Sequence, residues 1–434
     1  MRLQRIAFIL LAASFVCGSE RALAQPVEQG SIVREAIANV CAAPNAPPVS
    51  NARKIGSDKR SRQKGPALDV SDWALGSGHE LRISKVSGNG RNLIFADVFE
   101  RSSGDRRALV RGVARGDCRM IGGRKVEYQN AGGVSVPVAV RGLSPDLSPN
   151  DQVFPLNPQP PTGRYKECTR LGLLDNGVNY TRKDIADRLA YDRNGRLIGA
   201  DYWEGDNRPF DYGYRAGTLD PRAAIFNPRR HGSMVASVVI DHSPRTVCIV
   251  PVRFAPFSNA EVRNAVGFFA AQNTRVVSIQ VGRREPWPEF LRAIEKHPDI
   301  LFVAAAGNAG RDLNRFKSFP AAYNARNLLV VAGTDTSERA MWKRSNFGSG
   351  IVEIAVAAEG VSVKRFDGKP ERLSGTSFAA PKVAAFAATV ASASPGLSGA
   401  DLKQRVIGYA SQTGVSVKGL PVLTEKVIRA QMSK

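Results

Sequence analysis

Beyond its first residues the sequence has no long apolar run, and it is poor in histidine and aromatic residues. No stretch after residue 24 approaches the roughly 18 apolar residues of a transmembrane helix, so no membrane span is expected. Histidine occurs 4 times and no Cys-x-x-Cys pair is present. Both argue against a zinc site of ordinary ligand spacing, and no metal or cofactor is expected. Aromatics are 7% of the chain and are absent from its densest basic run, Arg53, Lys54, Lys59, Arg60, Arg62 and Lys64 against Asp58. A nucleic-acid binder would show a concentrated basic stripe with interleaved aromatics, so no nucleic-acid partner is expected and that run reads as a solvated segment. The 40 glycines have no three-residue period, which excludes collagen.

What is present is an ordinary globular composition carrying a large positive charge. The chain has 434 residues, 43% hydrophobic and 23% charged, with 61 Lys+Arg against 39 Asp+Glu and a net charge of +22. That length predicts two or three domains. The positive excess is spread along the chain, which suits adsorption to anionic surfaces in general. Residues 1–24 read as a secretory signal peptide: Arg2 and Arg5, then an apolar stretch from Ile6 to Val16, then Ala22-Leu23-Ala24 before Gln25. The mature chain is therefore expected to be secreted or periplasmic. Cys41, Cys118, Cys168 and Cys248 remain after cleavage, an even number in an oxidising compartment, so two disulfides are expected. Three pairings are open at this point.

The chain changes texture along its length. Residues 25–150 read as a small β-rich region, opened by the helical pattern Ile32, Val33, Ala36, Ile37, Val40. Residues 46–66 read as a basic linker. Strands are expected at Leu81–Ser84, Leu93–Phe95, Ala108–Val110 and Lys125–Tyr128, separated by glycine turns. Residues 151–161 lie in a proline-rich boundary linker. From residue 162 to 434, continuous apolar strands alternate with helical patterns. Strands are expected at Leu171–Leu174, Val247–Val252, Arg275–Val281, Ile300–Ala305, Leu328–Ala332 and Ile351–Val356. Helices are expected at Ala260–Gln272 and Pro288–Lys296. Fully apolar strands joined by helices imply an α/β fold with a doubly wound, mostly parallel sheet. Catalytic groups then belong just past the carboxyl ends of strands.

Four landmarks sit at such places. Asp175 ends an apolar strand and is followed by Asn176-Gly177. His231 opens a helix of small residues. Asn308 follows the strand Val303-Ala304-Ala305-Ala306-Gly307. Ser377 lies in Ser374-Gly375-Thr376-Ser377-Phe378-Ala379-Ala380-Pro381, where a glycine loop enters an Ala-rich helix. Pro381 is expected in that helix's first turn, where backbone donors lack partners anyway. A serine at a helix start sees free N–H groups and the positive end of the dipole. Each motif alone is weak. Together they supply a nucleophile, a base, an orienter and an oxyanion donor in one α/β unit.

With the order Asp, His, Asn, Ser, residues from about 165 to 434 resemble the subtilisin-like serine peptidases, or subtilases. Gly-Thr-Ser-Phe-Ala-Ala-Pro around Ser377 is the most specific match. Tyr202, Asp206, Pro209 and Asp211, Phe319-Pro320-Ala321 and Ser345-Asn346-Phe347-Gly348 add to it. The resemblance implies a subtilisin-type sheet and a secreted endopeptidase acting on protein or peptide substrates as a monomer. It implies that Ser377 attacks the scissile carbonyl, His231 carries the proton, and Asp175 orients His231. The Asn308 amide and the Ser377 N–H would bind the oxyanion. Gln280, Val281 and Gly282 would pair with an extended substrate, and Ala305, Ala306 and Gly307 would line the pocket before the cut.

Departures from the family pattern are Asn176 for Ser or Thr, Ser233 for Thr, and Ala357-Ala358-Glu359-Gly360 for Ala-Pro-Gly. The short Asp241–Thr246 connection implies that a calcium loop found there in relatives is missing, with Asp184 left in a structural role. In this fold Cys168 and Cys248 would sit at the starts of adjacent strands and bridge, leaving Cys41 with Cys118. Residues 25–161 match no pro-region motif, but their position suggests a removable pro-region, with a permanent accessory domain as the competing reading. The competing function is a retired subtilase fold that binds peptides or surfaces. Retention of all four chemical residues argues against it.

Overall fold

A computed structural model describes residues 26–60, 66–76, 78–102, 105–131, 133–213, 222–228, 230–254 and 259–433. The signal-peptide stretch and residues 61–65 of the basic run lie outside them.

The N-terminal part begins with helix α1 (Pro26–Ala42). It continues through eight strands: β1 (Arg53–Arg60), β2 (Ala67–Ala74), β3 (His79–Gly88), β4 (Arg91–Ser102), β5 (Asp105–Arg115), β6 (Met120–Ala131), β7 (Val134–Leu143) and β8 (Pro149–Pro155). They lie side by side in chain order in one sheet. Four of these strands were expected from the sequence. The basic stretch read as linker contains β1, paired antiparallel with β2, and β8 runs into the proline-rich stretch. Both are edge strands, where charge and proline are tolerated and the apolar alternation that betrays a strand is weakest. Val33 and Ile37 of α1 are buried, and Cys41 is bonded to Cys118. Across four neighbouring strands Asp72, Arg82, Asp97 and Arg111 stand opposite one another in register. Their charges alternate, and Arg111 holds the buried Asp97 carboxylate through two hydrogen bonds of 2.6 Å.

The chain divides into two compact units, residues 1–123 with 144–148, and residues 124–143 with 149–434. The second contains a seven-stranded sheet in the order β10-β11-β9-β12-β13-β14-β15. Its members are β9 (Thr169–Asp175), β10 (Ala200–Asp201), β11 (Val247–Arg253), β12 (Val276–Ile279), β13 (Leu301–Ala305), β14 (Leu328–Thr334) and β15 (Ile354–Ala357). All six pairings are parallel. Every residue of β11, β12 and β14 is buried, because helices cover both faces. That is why these strands read as continuous apolar runs.

After the short α2 (Lys183–Ala186) come α3 (Gly232–Asp241), α4 (Asn259–Ala271), α5 (Pro288–Glu295), α6 (Thr376–Ala393), α7 (Gly399–Ser411) and α8 (Glu425–Met432). Residues of α3, α6, α7 and α8 fill one core, and those of α4 and α5 fill the other. Helix α6 is buried almost throughout. Its alanines let it lie close to the sheet, and Phe386, 1% exposed, fills the remaining space. Cys168, just before β9, is bonded to Cys248 in β11, the strand beside it. No helix among the described residues is long and apolar enough to cross a membrane.

Candidate active site

Strand β9 has β11 on one side and β12 on the other, so the chain reverses its winding there and opens a crevice at the carboxyl end. Asp175 is the last residue of β9 and is 4% exposed. His231 caps the start of α3 and is 6% exposed. Its Nδ1 lies 2.9 and 2.8 Å from the two Asp175 carboxylate oxygens. Facing a carboxylate, Nδ1 carries the proton and donates it, which leaves the Nε2 lone pair free to accept one. Helix α3 reaches this position because Gly232 has no side chain: a Cβ there would stand 1.8 Å from the Gly177 carbonyl oxygen.

Asp211 locks the histidine from behind. Its carboxylate accepts the His231 N–H at 3.1 Å and the Ser233 N–H at 2.8 Å, supplying partners for donors that a helix start leaves orphaned. Burial pushes Asp211 up to about 6, against the pull of its hydrogen bonds to Ser233 and the Arg230 charge.

Ser377 is the second residue of α6, after Gly375 at the cap position. The phenyl ring of its neighbour Phe378 lies 5.9 Å from the His231 ring. No hydrogen bond joins His231 to Ser377 among the described residues. Pro381 is the sixth residue of α6 and so lies beyond the first turn where it was expected. Lacking an N–H, it leaves the Ser377 carbonyl without the usual helical partner.

Asn308 follows β13, and its Oδ1 accepts the Thr376 N–H at 2.8 Å and the Thr376 hydroxyl at 2.9 Å. With the oxygen so occupied, the amide NH₂ is the end left to donate. The Thr376 hydroxyl also accepts the Gly307 N–H at 3.1 Å. Asn346 pins the same loop, donating to the Ala306 carbonyl at 2.9 Å and accepting the N–H groups of Ala309 and Arg311 at 3.1 and 3.0 Å. Asp211, Thr376 and Asn346 stand in stretches whose pattern was visible, but nothing in the sequence pattern assigned them these partners. The signal available was their place inside the stretches that carry the family resemblance.

The remaining candidates flank this core. Gln280, Val281 and Gly282 continue past β12, and the Gln280 amide donates to Ser278 Oγ at 2.6 Å. A Cβ on Gly282 would lie 3.4 Å from the Phe319 carbonyl oxygen and 3.5 Å from Ser318 Oγ, which places Ser318 at the edge of this segment. Ala305 is partly exposed, whereas Ala306 is buried in the core. Gly307 turns with φ 101°. Asp184 is held by Arg182 at 2.6 Å and Lys364 at 3.2 Å, and these contacts draw its carboxyl below the usual range against the opposing effect of burial. Among the described residues no group of three or more His, Cys, Asp or Glu could hold a metal.

Next to this site lies a fully buried guanidinium. Arg253, at the end of β11, stands opposite Asp175 in the sheet. It donates to Asp201 Oδ2 at 2.7 Å and to the Tyr212 carbonyl at 2.8 Å, with the Tyr212 ring 3.5 Å away.

At the switch point of the parallel sheet the structure thus sets a buried Asp–His pair beside a buried helix whose second residue is serine. Comparison with known proteins gives the family. The model of the subtilase family, peptidase S8, matches residues 167–421, and the chain belongs to that family of serine proteases. It is 26% identical over 234 residues to thermitase from Thermoactinomyces vulgaris, covering 51% of this chain and 75% of that protein. It is 31% identical over 156 residues to subtilisin DY from Bacillus licheniformis, covering 34% of this chain and 54% of that one. The chain thus spans about half of subtilisin DY, and 42% of a thermostable alkaline protease from Halalkalibacterium halodurans that is 30% identical over 161 residues. Among solved structures, a cold-adapted subtilisin-like serine proteinase aligns with TM-score 0.46 and 23% identity, over 60% of this chain and 90% of that one.

Proposed function

We infer that the chain is a secreted serine endopeptidase that cleaves peptide bonds through an acyl-enzyme. The observation that carries this reading is the buried pair in which His231 Nδ1 contacts both Asp175 oxygens, with Ser377 at the start of the neighbouring helix α6. In this reading Nε2 of His231 takes the Ser377 proton as Oγ attacks the scissile carbonyl, and returns it to the leaving amine. Asp175 fixes the tautomer and stabilises the cation that forms. The Asn308 NH₂ and the Ser377 N–H receive the oxyanion, and Thr376 aims that amide by holding its oxygen. The two disulfides suit an oxidising compartment, in keeping with export directed by residues 1–24.

In the same reading residues 149–161 stay with the peptidase. Leu156 and Asn157 are 0% and 2% exposed. Asn157 donates to Asp206 at 2.7 Å, and Tyr180 donates to the Pro158 carbonyl at 2.6 Å. Cutting the chain there would strip buried hydrogen bonds from the folded unit.

Intact-mass spectrometry after exposure to a fluorophosphonate probe tests both points, with Ser377→Ala beside the wild type. One adduct on the wild type and none on the variant is expected, both chains starting at Gln25. An unlabelled, folded wild type overturns the peptidase reading. A labelled wild type of mass near residues 160–434 overturns retention alone.

A further inference from the structure

Beside the turn that carries Asn308 the exposed charge is almost all positive. The chain leaves Asn308 through an exposed loop holding Arg311, Arg315, Phe316 and Lys317, and Lys343 and Arg344 stand exposed beside it. Backbone bonds join the two stretches. The Gly310 N–H donates to the Arg344 carbonyl at 2.8 Å, the Phe347 N–H to the Arg311 carbonyl at 3.0 Å and the Leu313 N–H to the Phe347 carbonyl at 2.7 Å. The approach is so close that a Cβ on Gly310 would stand 2.8 Å from the Lys343 carbonyl oxygen. Lys418 joins them from a third stretch, its Nζ 4.2 Å from the Phe347 ring centre. All these residues lie in the compact unit that carries the peptidase fold.

Hydrogen bonds tie this surface to the candidate site on two sides. On one, Asn346 donates its N–H to the Gly307 carbonyl at 2.9 Å and its side-chain amide to the Ala306 carbonyl, also at 2.9 Å. Asn308, which follows, meets the N–H of Thr376, the residue before Ser377, at 2.8 Å. On the other, the loop runs into Phe319, which exchanges N–H···O bonds of 2.8 and 2.9 Å with Arg283, next to Gly282. The six cations are accompanied by one carboxylate in these stretches, Asp312, which accepts the N–H and the side-chain amide of Asn314 at 2.9 and 3.1 Å. None of the six is in an ion pair among the described residues. Like charges gathered on one surface raise the local potential and draw in anions. Phe316, 55% exposed, adds an apolar contact, with the Arg311 guanidinium 5.2 Å from its ring centre. Arginine and aromatic rings are enriched where proteins meet.

We propose that this surface is a docking site for an acidic segment of the polypeptide substrate, outside the residues that act on the bond itself. A polypeptide offers carboxylates to the cations together with apolar side chains to Phe316, and the adjoining site is one that would take polypeptides. The proposal rests on the peptidase reading above for the word substrate, but not for the binding. A single surface ion pair contributes little, so selectivity here comes from the number of cations gathered.

Binding is measured on full-length Ser377→Ala by fluorescence polarisation, with a short labelled peptide rich in Glu set against its Gln twin. At low salt the Glu peptide is expected to bind at least about tenfold tighter, the sum of several weak pairs. The ratio should approach one near 1 M salt, where charges are screened within about 3 Å. Arg315→Gln with Lys317→Gln should cut the low-salt ratio severalfold, and so should Lys343→Gln with Arg344→Gln. Lys166→Gln with Lys296→Gln removes as much charge before the starts of β9 and β13, the opposite end of the sheet from Asn308, and should leave most of the ratio. Equal affinities for the twins overturn the proposal, as does a ratio that survives both test pairs. A ratio that falls as far in the control pair overturns it too, since net charge alone would then explain the binding. An oligonucleotide of equal charge that binds tighter than the Glu peptide, and loses that advantage in the test pairs, assigns the surface to nucleic acid instead. If the wild type neither cleaves nor takes up the fluorophosphonate while the ratio is seen on Ser377→Ala, the docking surface stands and the peptidase reading falls.

Discussion

Replacing Arg253 with methionine removes a cation that is 0% exposed from an anion, Asp201, that is equally buried. Asp201 would keep its hydrogen bonds from the N–H groups of Trp203 and Glu204, at 2.8 and 3.1 Å, but no countercharge at 2.7 Å. Breaking a buried pair from one side costs about 3–5 kcal/mol. That is a large share of a total stability of roughly 5–15 kcal/mol. At about 2–4 °C per kcal/mol for a domain of this size, the melting temperature should fall by roughly 6–20 °C. Arg253→Met with Asp201→Asn removes the orphan charge at Asp201 and keeps an acceptor for those N–H groups, so part of the loss should return; Glu204, 3.8 Å from Arg253, still loses its cation. The assay is urea unfolding at neutral pH in a Ser377→Ala background, which prevents self-digestion. A single-variant cost below about 1 kcal/mol, or a double variant as unstable as the sum of the singles, would refute the reasoning. The site should feel the change as well. Arg253 stands beside Asp175 in the sheet, and the Phe254 N–H donates to the Asp175 carbonyl at 3.0 Å.

Other expectations follow from the same geometry. Asp175→Asn should lower kcat by about 10⁴ with little change in KM, since the amide favours the wrong histidine tautomer; an ester or peptide substrate under saturating conditions reads it. Asn308→Ala should lower kcat by about 10²–10³, the range found for this donor in subtilisin itself, and Thr376→Val should lose less, both read on the same substrate. Gly232→Ala drives a methyl against the Gly177 oxygen, moves His231, and should cost about 10² in kcat/KM in a chain whose circular dichroism is unchanged. Glu425 on α8 would be raised by burial alone, but the hydrogen bond and charge of His242 and the Lys382 charge hold it down to about 2, from 4.5. A carboxylate depressed in the folded state stabilises above its unfolded value. Its contribution, on the order of 2–3 kcal/mol, should therefore be present above pH 4.5 and disappear as the pH falls toward 2. Acid unfolding of wild type against Glu425→Gln measures it: the variant should be less stable at neutral pH and show a flatter slope in that window.

Legibility differed between the two parts of the chain for a physical reason. Strands β9, β11, β13 and β14 announced themselves because burial on both faces demands unbroken apolar runs. Helix α6 did so through its alanines. In the N-terminal sheet β1 and β8 stayed hidden, since an edge strand exposes its side chains and can consist of Arg, Lys, Gly and Pro. The disulfide pairing became legible only once the family resemblance put Cys168 and Cys248 on adjacent strands.

The sequence alone determined that Asp175, His231, Asn308 and Ser377 each fall at the end or start of an element, because strand period, helix period and glycine turns are local properties. Tertiary structure alone decided which groups meet. Asp211 lies 20 residues from His231, Asn308 lies 68 from Thr376, and Arg253 lies 52 from Asp201. Such partners are chosen by the crossing of elements and by the need to satisfy every buried polar group, and no local pattern along the chain records that choice.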